Sequence, residues 1–264
     1  MSSKKIAQFL KKFLKLWKQK GALIIFLLIT IYLTFFWLSP YILKYFQINY
    51  NQKFIFYSVS EPLVSLLKFS LVLTFILLFP FLWYFLISFF NFLYSFKKSH
   101  FWLFYILGIF LFYLGIVFCY KVTLPFGIKF LISFKTEKIE PAISLGHFVN
   151  FFSFFVLAFG LIFELPLFIC FLSMGKIINP LKLGSYRKEI FFMIVIIAAL
   201  VTPTPDAFNM SLLAIPLYIL FELGLFLSKL IQKSEAISKV SILLWRIPRK
   251  SLRKISSFIW RHST

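Results

Sequence analysis

Glu164 interrupts the apolar run from Phe148 to Met174, and Pro166 follows two residues later. A carboxylate inside such a run is costly, which makes it a functional candidate by default. The alternative is a protonated Glu hydrogen-bonded to a neighbouring helix. Pro166 frees backbone carbonyls and can kink the segment. A second acid, Asp206, ends the run Thr202-Pro203-Thr204-Pro205-Asp206, a turn that cannot continue a helix. It reads either as a turn or N-cap residue or as a polar group near the outer lipid interface. Glu222 reads as a snorkelling or paired carboxylate, and Lys68 as a lysine snorkelling from the start of its segment.

Other chemistry is not encoded. His100, His147 and His262 are isolated from one another and from Cys119 and Cys170, so no metal-ligand spacing exists. Both cysteines lie in apolar runs, as small buried hydrophobes do. Phosphate-loop, dinucleotide, zinc-protease and nucleophile-elbow motifs are all missing. The expectation is a protein that is not an enzyme and needs no cofactor or metal.

The elements that must position Glu164 and Asp206 are membrane helices. Apolar residues make up 61% of the 264, 40 residues are Phe, and the mean hydropathy is +0.92. A soluble fold of this size cannot hide that much apolar surface. The apolar runs are continuous and do not alternate, which selects helices over a barrel. Full spans are expected near Leu23–Leu43, Leu63–Phe92, Phe101–Leu124 and Phe148–Met174, since a core of roughly 30 Å needs about 20 residues. Two shorter segments, Ile190–Val201 and Leu212–Leu230, are expected to form a hairpin around the Thr-Pro turn. The expected fold class is therefore an all-α polytopic bundle of six transmembrane helices, the fifth and sixth short.

Most of the 29 Lys and Arg residues fall on one side of this arrangement. The positive-inside rule then places both termini on the inner side, which an even number of spans requires. Three domains are expected: residues 1–20, 21–230 and 231–264. The first is an amphipathic basic helix, with Ile6, Phe9, Leu10, Phe13, Leu14 and Trp17 on its apolar face. A cleavable targeting segment is the alternative, but no small-residue cleavage site follows. The last is a basic tail with interleaved apolar residues. Anionic lipid accounts for the basic ends, and no nucleic-acid partner is expected.

Five patterns then line up in order. Leu157-Ala158-Phe159-Gly160 followed by Phe163-Glu164-Leu165-Pro166-Leu167 resembles the fourth-helix signature of the TatC family, the multispanning core of the twin-arginine protein translocase. Ala198-Ala199-Leu200-Val201-Thr202-Pro203-Thr204-Pro205-Asp206 resembles that family's fifth helix and loop. Leu212 to Tyr218 with Phe221-Glu222-Leu223-Gly224 resembles its sixth helix. Glu61-Pro62 with Lys68 resembles the start of its second, and Leu111-Phe112-Tyr113-Leu114-Gly115 its third. The resemblance implies a glove-like bundle that carries folded proteins across a membrane on the proton gradient. It implies single-span TatA-like partners, in many systems TatB-like ones too, and leaves a homo-oligomer open. It puts Glu164 on the concave membrane face, as a polar site for a partner or substrate helix, and gives Asp206 a functional part.

Departures from the family pattern bear on specificity. The family binds its signal's arginine pair with an acid in the loop between spans two and three, where this chain has Lys97 and Lys98. A second family acid falls near Lys15, and a family Gln corresponds to Met210. Lysines in that geometry repel an arginine pair. The expectation is altered or lost twin-arginine recognition, as in an organelle-encoded form with few substrates. The enrichment in Phe, Lys and Ile fits an AT-rich genome. A mitochondrial inner-membrane form serving a folded Rieske iron–sulfur protein is favoured, with plastid thylakoid or bacterial inner membrane as alternatives. The competing function is a proton-coupled small-solute transporter using Glu164, for which inverted repeats would be expected.

Overall fold

A computed structural model of the chain describes residues 3–50, 54–94, 98–133, 143–201 and 207–246. The elements in order are α1 (Ser3–Tyr50), β1 (Phe54–Ile55), α2 (Glu61–Tyr94), α3 (Lys98–Phe118), a π-helical turn (Cys119–Thr123), α4 (Leu124–Ser133), β2 (Ile143–Ser144), α5 (Leu145–Ile162), α6 (Leu165–Met174), α7 (Pro180–Ser185), α8 (Arg187–Val201) and α9 (Ala207–Arg246). Helix follows from the solvent: in hydrocarbon each backbone N–H and C=O must find its partner within the chain. The two short strands pair in parallel, Phe54 with Ile143 and Ile55 with Ser144, and tie the entry to α2 to the entry to α5. α1 runs without interruption through Gly21.

Among the described residues five helical stretches, not six, are long and apolar enough to cross a membrane. They are Gly21–Asn49, Glu61–Phe92, Lys98–Ile128, Leu145–Met174 and Leu213–Gln232. The expected fifth span fails on length. α8 has 15 residues, which at 1.5 Å each reach about 22 Å against a core of roughly 30 Å. The expected short sixth segment is instead part of the 40-residue α9, which continues through Pro216. Placing both termini on one side depended on an even number of spans, and the count of five removes that basis.

Packing joins α1 to α2, α2 to α3 and α5, α3 to α5, and both α6 and α8 to α9. Two aromatic clusters fill the contacts. Near the strand pair, Phe46 of α1 meets Phe152 of α5 at 5.1 Å between ring centres, with Phe69 and Phe148 alongside. At the other end, Phe79 stacks on Phe112 and Trp83 packs near Phe171. The Trp83 indole N–H donates to the Phe104 carbonyl at 3.2 Å, which satisfies the one polar atom of a buried ring. Outward-facing Leu23, Phe26, Trp37, Phe81, Phe192 and Phe226 are exposed, as lipid-facing side chains should be.

Lipid is as apolar as leucine, so helix association relies on close packing at small residues. A Cβ on Gly115 of α3 would lie 2.6 Å from the Phe159 carbonyl of α5. One on Gly224 of α9 would lie 2.9 Å from Pro166 Cα and 2.8 Å from Ile169 Cδ1 of α6. Backbone cannot yield as a side-chain tip can. Gly224→Ala should therefore destabilise the purified protein by about 1–3 kcal/mol, read as a lower midpoint of thermal unfolding in detergent. Gly184→Ala, which meets only Lys229 Nζ at 3.6 Å, should leave the midpoint unchanged.

Candidate functional site

The span Leu145–Met174 is two helices, and the break falls at Phe163–Glu164. Pro166 occupies the first turn of α6, where its fixed φ suits the helix and its missing N–H is least costly. It has no N–H to offer the Ile162 carbonyl, so the ladder loses a bond at the junction of α5 and α6. The Glu164 N–H turns back to Leu161 O at 3.1 Å, and the Glu164 carbonyl accepts from Leu167 and Phe168 at 3.0 and 3.1 Å. The backbone of the break is thereby satisfied while the helix is interrupted.

Neighbouring helices hold the break from two directions. Gly115 of α3 lets the Phe159 carbonyl and the Phe163 ring approach, and Phe163 packs on Phe118. Gly224 of α9 receives Pro166. Between these contacts the Glu164 side chain is 1% exposed. Neither carboxylate oxygen has a hydrogen-bond partner among the described residues.

The other acids in the described spans are accounted for. Glu61, at the start of α2, accepts the Tyr57 N–H at 2.7 Å, the Gly146 N–H at 2.8 Å and the Ser144 hydroxyl. It joins the loop after β1 to the start of α5. Glu222 of α9 is gripped by Arg187 of α8 through two bonds, Nε to Oε1 at 2.6 Å and Nη2 to Oε2 at 3.0 Å. The Tyr218 hydroxyl donates to the same carboxylate at 3.2 Å. One carboxylate is fully bonded, one is ion-paired, and Glu164 is buried with neither. Such an exception in a native fold asks for a functional explanation.

Of the remaining sequence-derived positions, Pro166 and Lys98 are among the described residues. Pro166 is buried at the break. Lys98 is exposed at the first residue of α3. Lys97 lies outside the described residues, as do Thr202, Pro203, Pro205 and Asp206 of the turn between α8 and α9. Among the described residues no three His, Cys, Asp or Glu side chains lie close enough together to hold a metal ion.

Sequence reasoning missed the second polar feature. A cleft of about 420 Å³ opens beside the strand pair, lined by Tyr57, Glu61, Ser65, Lys68, His147 and Asn150 among others. Lys68 donates to Asn150 Oδ1 at 3.0 Å. Glu61 at a helix start and Lys68 seven residues on were the local signs. The bonds of Glu61 to Ser144 and Gly146 span more than 80 positions and carry no pattern in the chain. Glu61→Gln places an amide N–H₂ against N–H donors. It should cost about 1–3 kcal/mol of stability and raise protease cleavage near Tyr57, read by limited proteolysis of the purified protein.

Comparison with known proteins places this geometry. The family described as Sec-independent protein translocase protein (TatC) matches residues 14–216. The Sec-independent protein translocase protein TatC of Aquifex aeolicus is 35% identical over 184 residues, 67% of this chain and 75% of that one. The protein of the same name from Carboxydothermus hydrogenoformans is 36% identical over 127 residues, 48% of this chain and 52% of that one. Over 81% of this chain and 98% of the other, the fold superposes on a crystal structure of the twin arginine translocase receptor TatC in DDM, with a TM-score of 0.65 and 29% identity. A second crystal structure of that receptor gives a TM-score of 0.59 at 30% identity over 80% of this chain and 97% of the other. The chain is an integral polytopic membrane protein, and it belongs to the TatC family of Sec-independent protein translocase proteins.

Proposed function

We propose that this chain is the core subunit of a translocase that moves folded proteins across a membrane on the proton gradient. The observation that carries the reading is Glu164: a buried carboxylate without a bond among the described residues, at a proline break inside a span. A group so costly to bury is kept for an interaction that the described residues do not make. Its partner is the short helix of a single-span TatA-like protein, or a TatB-like one, bearing a polar group. Opening the contacts at Phe163 and Pro166 would expose Glu164 to that helix. Asp206, at the end of Thr202-Pro203-Thr204-Pro205-Asp206, takes a functional part as well.

Lys97 and Lys98 place positive charge where relatives carry the acid that holds an arginine pair. The substrate set is therefore narrow and independent of that pair, as for a folded Rieske iron–sulfur protein in a mitochondrial inner membrane. Anionic lipid holds the basic ends of the chain.

Two measurements test this reading. In cells or organelles depleted of their own core subunit, Glu164→Ala should abolish export of a folded substrate while the variant still inserts and purifies as a monodisperse protein. Failure of the variant to insert would instead make Glu164 structural. Exchange of a precursor's arginine pair for lysines should leave transport by this chain unchanged. Loss of transport on that exchange would restore ordinary signal recognition.

A further inference from the structure

The cleft beside the strand pair holds a cation with no ion-pair partner among the described residues. Lys68 is exposed and hydrogen-bonded to the neutral amide oxygen of Asn150, and it forms no ion pair among the described residues. Glu61 also lines the cleft, but its Oε1 is taken by Gly146 and Ser144 and its Oε2 by Tyr57. The remaining polar lining consists of groups that can donate: the hydroxyls of Ser58, Ser60 and Ser65, and His147, which lies one turn before Asn150 on the same face of α5. One ammonium, several hydroxyls and an imidazole around about 420 Å³ make a receptor for a small anion.

The depth of the cleft indicates which anion reaches it. The second span, Glu61–Phe92, has 32 residues, about 48 Å of helix. Centred on a hydrocarbon core of roughly 30 Å, it leaves about 9 Å at each end. Lys68 lies seven residues into the span, about 10 Å along the axis. That is the boundary where lipid phosphates meet acyl chains. An ammonium without an ion-pair partner there is costly, and a phosphate oxygen removes the cost.

We infer that this cleft is a phosphate-binding site occupied by the headgroup of an anionic phospholipid, with Lys68 as the charged contact and Ser65, His147 and Asn150 positioned around it. None of its lining residues belongs to the Glu164 break.

Native mass spectrometry of the full chain in mild detergent tests it, with phosphatidylglycerol, phosphatidylcholine or inorganic phosphate added. Wild-type protein should hold one phosphatidylglycerol more tightly than the others. Lys68→Gln should weaken that first binding about tenfold, and Lys229→Gln should not. If Lys68→Gln fails to fold, Asn150→Asp serves: a carboxylate beside the ammonium should give the same loss with Lys68 in place. Inorganic phosphate that binds as tightly as the lipid, and depends equally on Lys68, would support the phosphate site and assign it to the free anion. Undiminished first binding of phosphatidylglycerol in Lys68→Gln, or in Asn150→Asp where that variant carries the test, would overturn it.

Discussion

Within a bilayer the backbone has no water to bond, and every feature of this chain answers to that constraint. The spans are helices because only helices satisfy their own N–H and C=O groups strand by strand. The break inside the span Leu145–Met174, at Phe163–Glu164, is permitted because the Glu164 N–H and carbonyl find partners within one turn on either side. Packing supplies the rest. α3 comes close enough at Gly115, and α9 at Gly224, to enclose the broken turn in protein. Irregular backbone at this depth is tolerated only where protein or a cavity surrounds it.

The same constraint sorts the acids. Glu61 begins α2 and Glu222 lies midway along the span Leu213–Gln232, and each has found donors that hold its charge. Glu164 lies mid-span and has found none among the described residues. Because a buried unpaired carboxylate costs several kcal/mol, the contrast sets Glu164 apart from the two acids that are bonded within the described residues. The Arg187–Glu222 pair is partly exposed, 48% and 33% for the two side chains. It therefore orients α8 against α9 more than it stabilises them.

Prolines illustrate what local sequence can and cannot determine. Pro40, Pro80 and Pro216 all lie inside apolar segments, and the helices run through them. Pro166 has the same chemistry, yet there the helix stops and restarts. The difference lies in the neighbours. The Cα of Pro166 seats against Gly224, and the turn before it against Gly115. Likewise the Thr-Pro sequence follows α8, described to Val201, but it says nothing of how far α9 runs beyond it. Reading a short hairpin there, and hence six spans, treated the turn as a symmetrical limit on both helices.

Membrane residence, helical class and the first four spans were legible in the sequence, because hydropathy and run length act locally and lipid rewards them residue by residue. The family was legible too, because its signatures are short runs kept in order. Glu164 could be singled out for the same reason: a charge in an apolar run is a one-dimensional anomaly. That Glu164 is enclosed and lacks a bond among the described residues, that Glu61 is fully bonded, and that Lys68 faces a cleft beside Asn150 was decided only by the tertiary structure. Each depends on contacts between helices tens of residues apart, and the partners of a side chain are a property of packing geometry, which the linear order of residues does not contain.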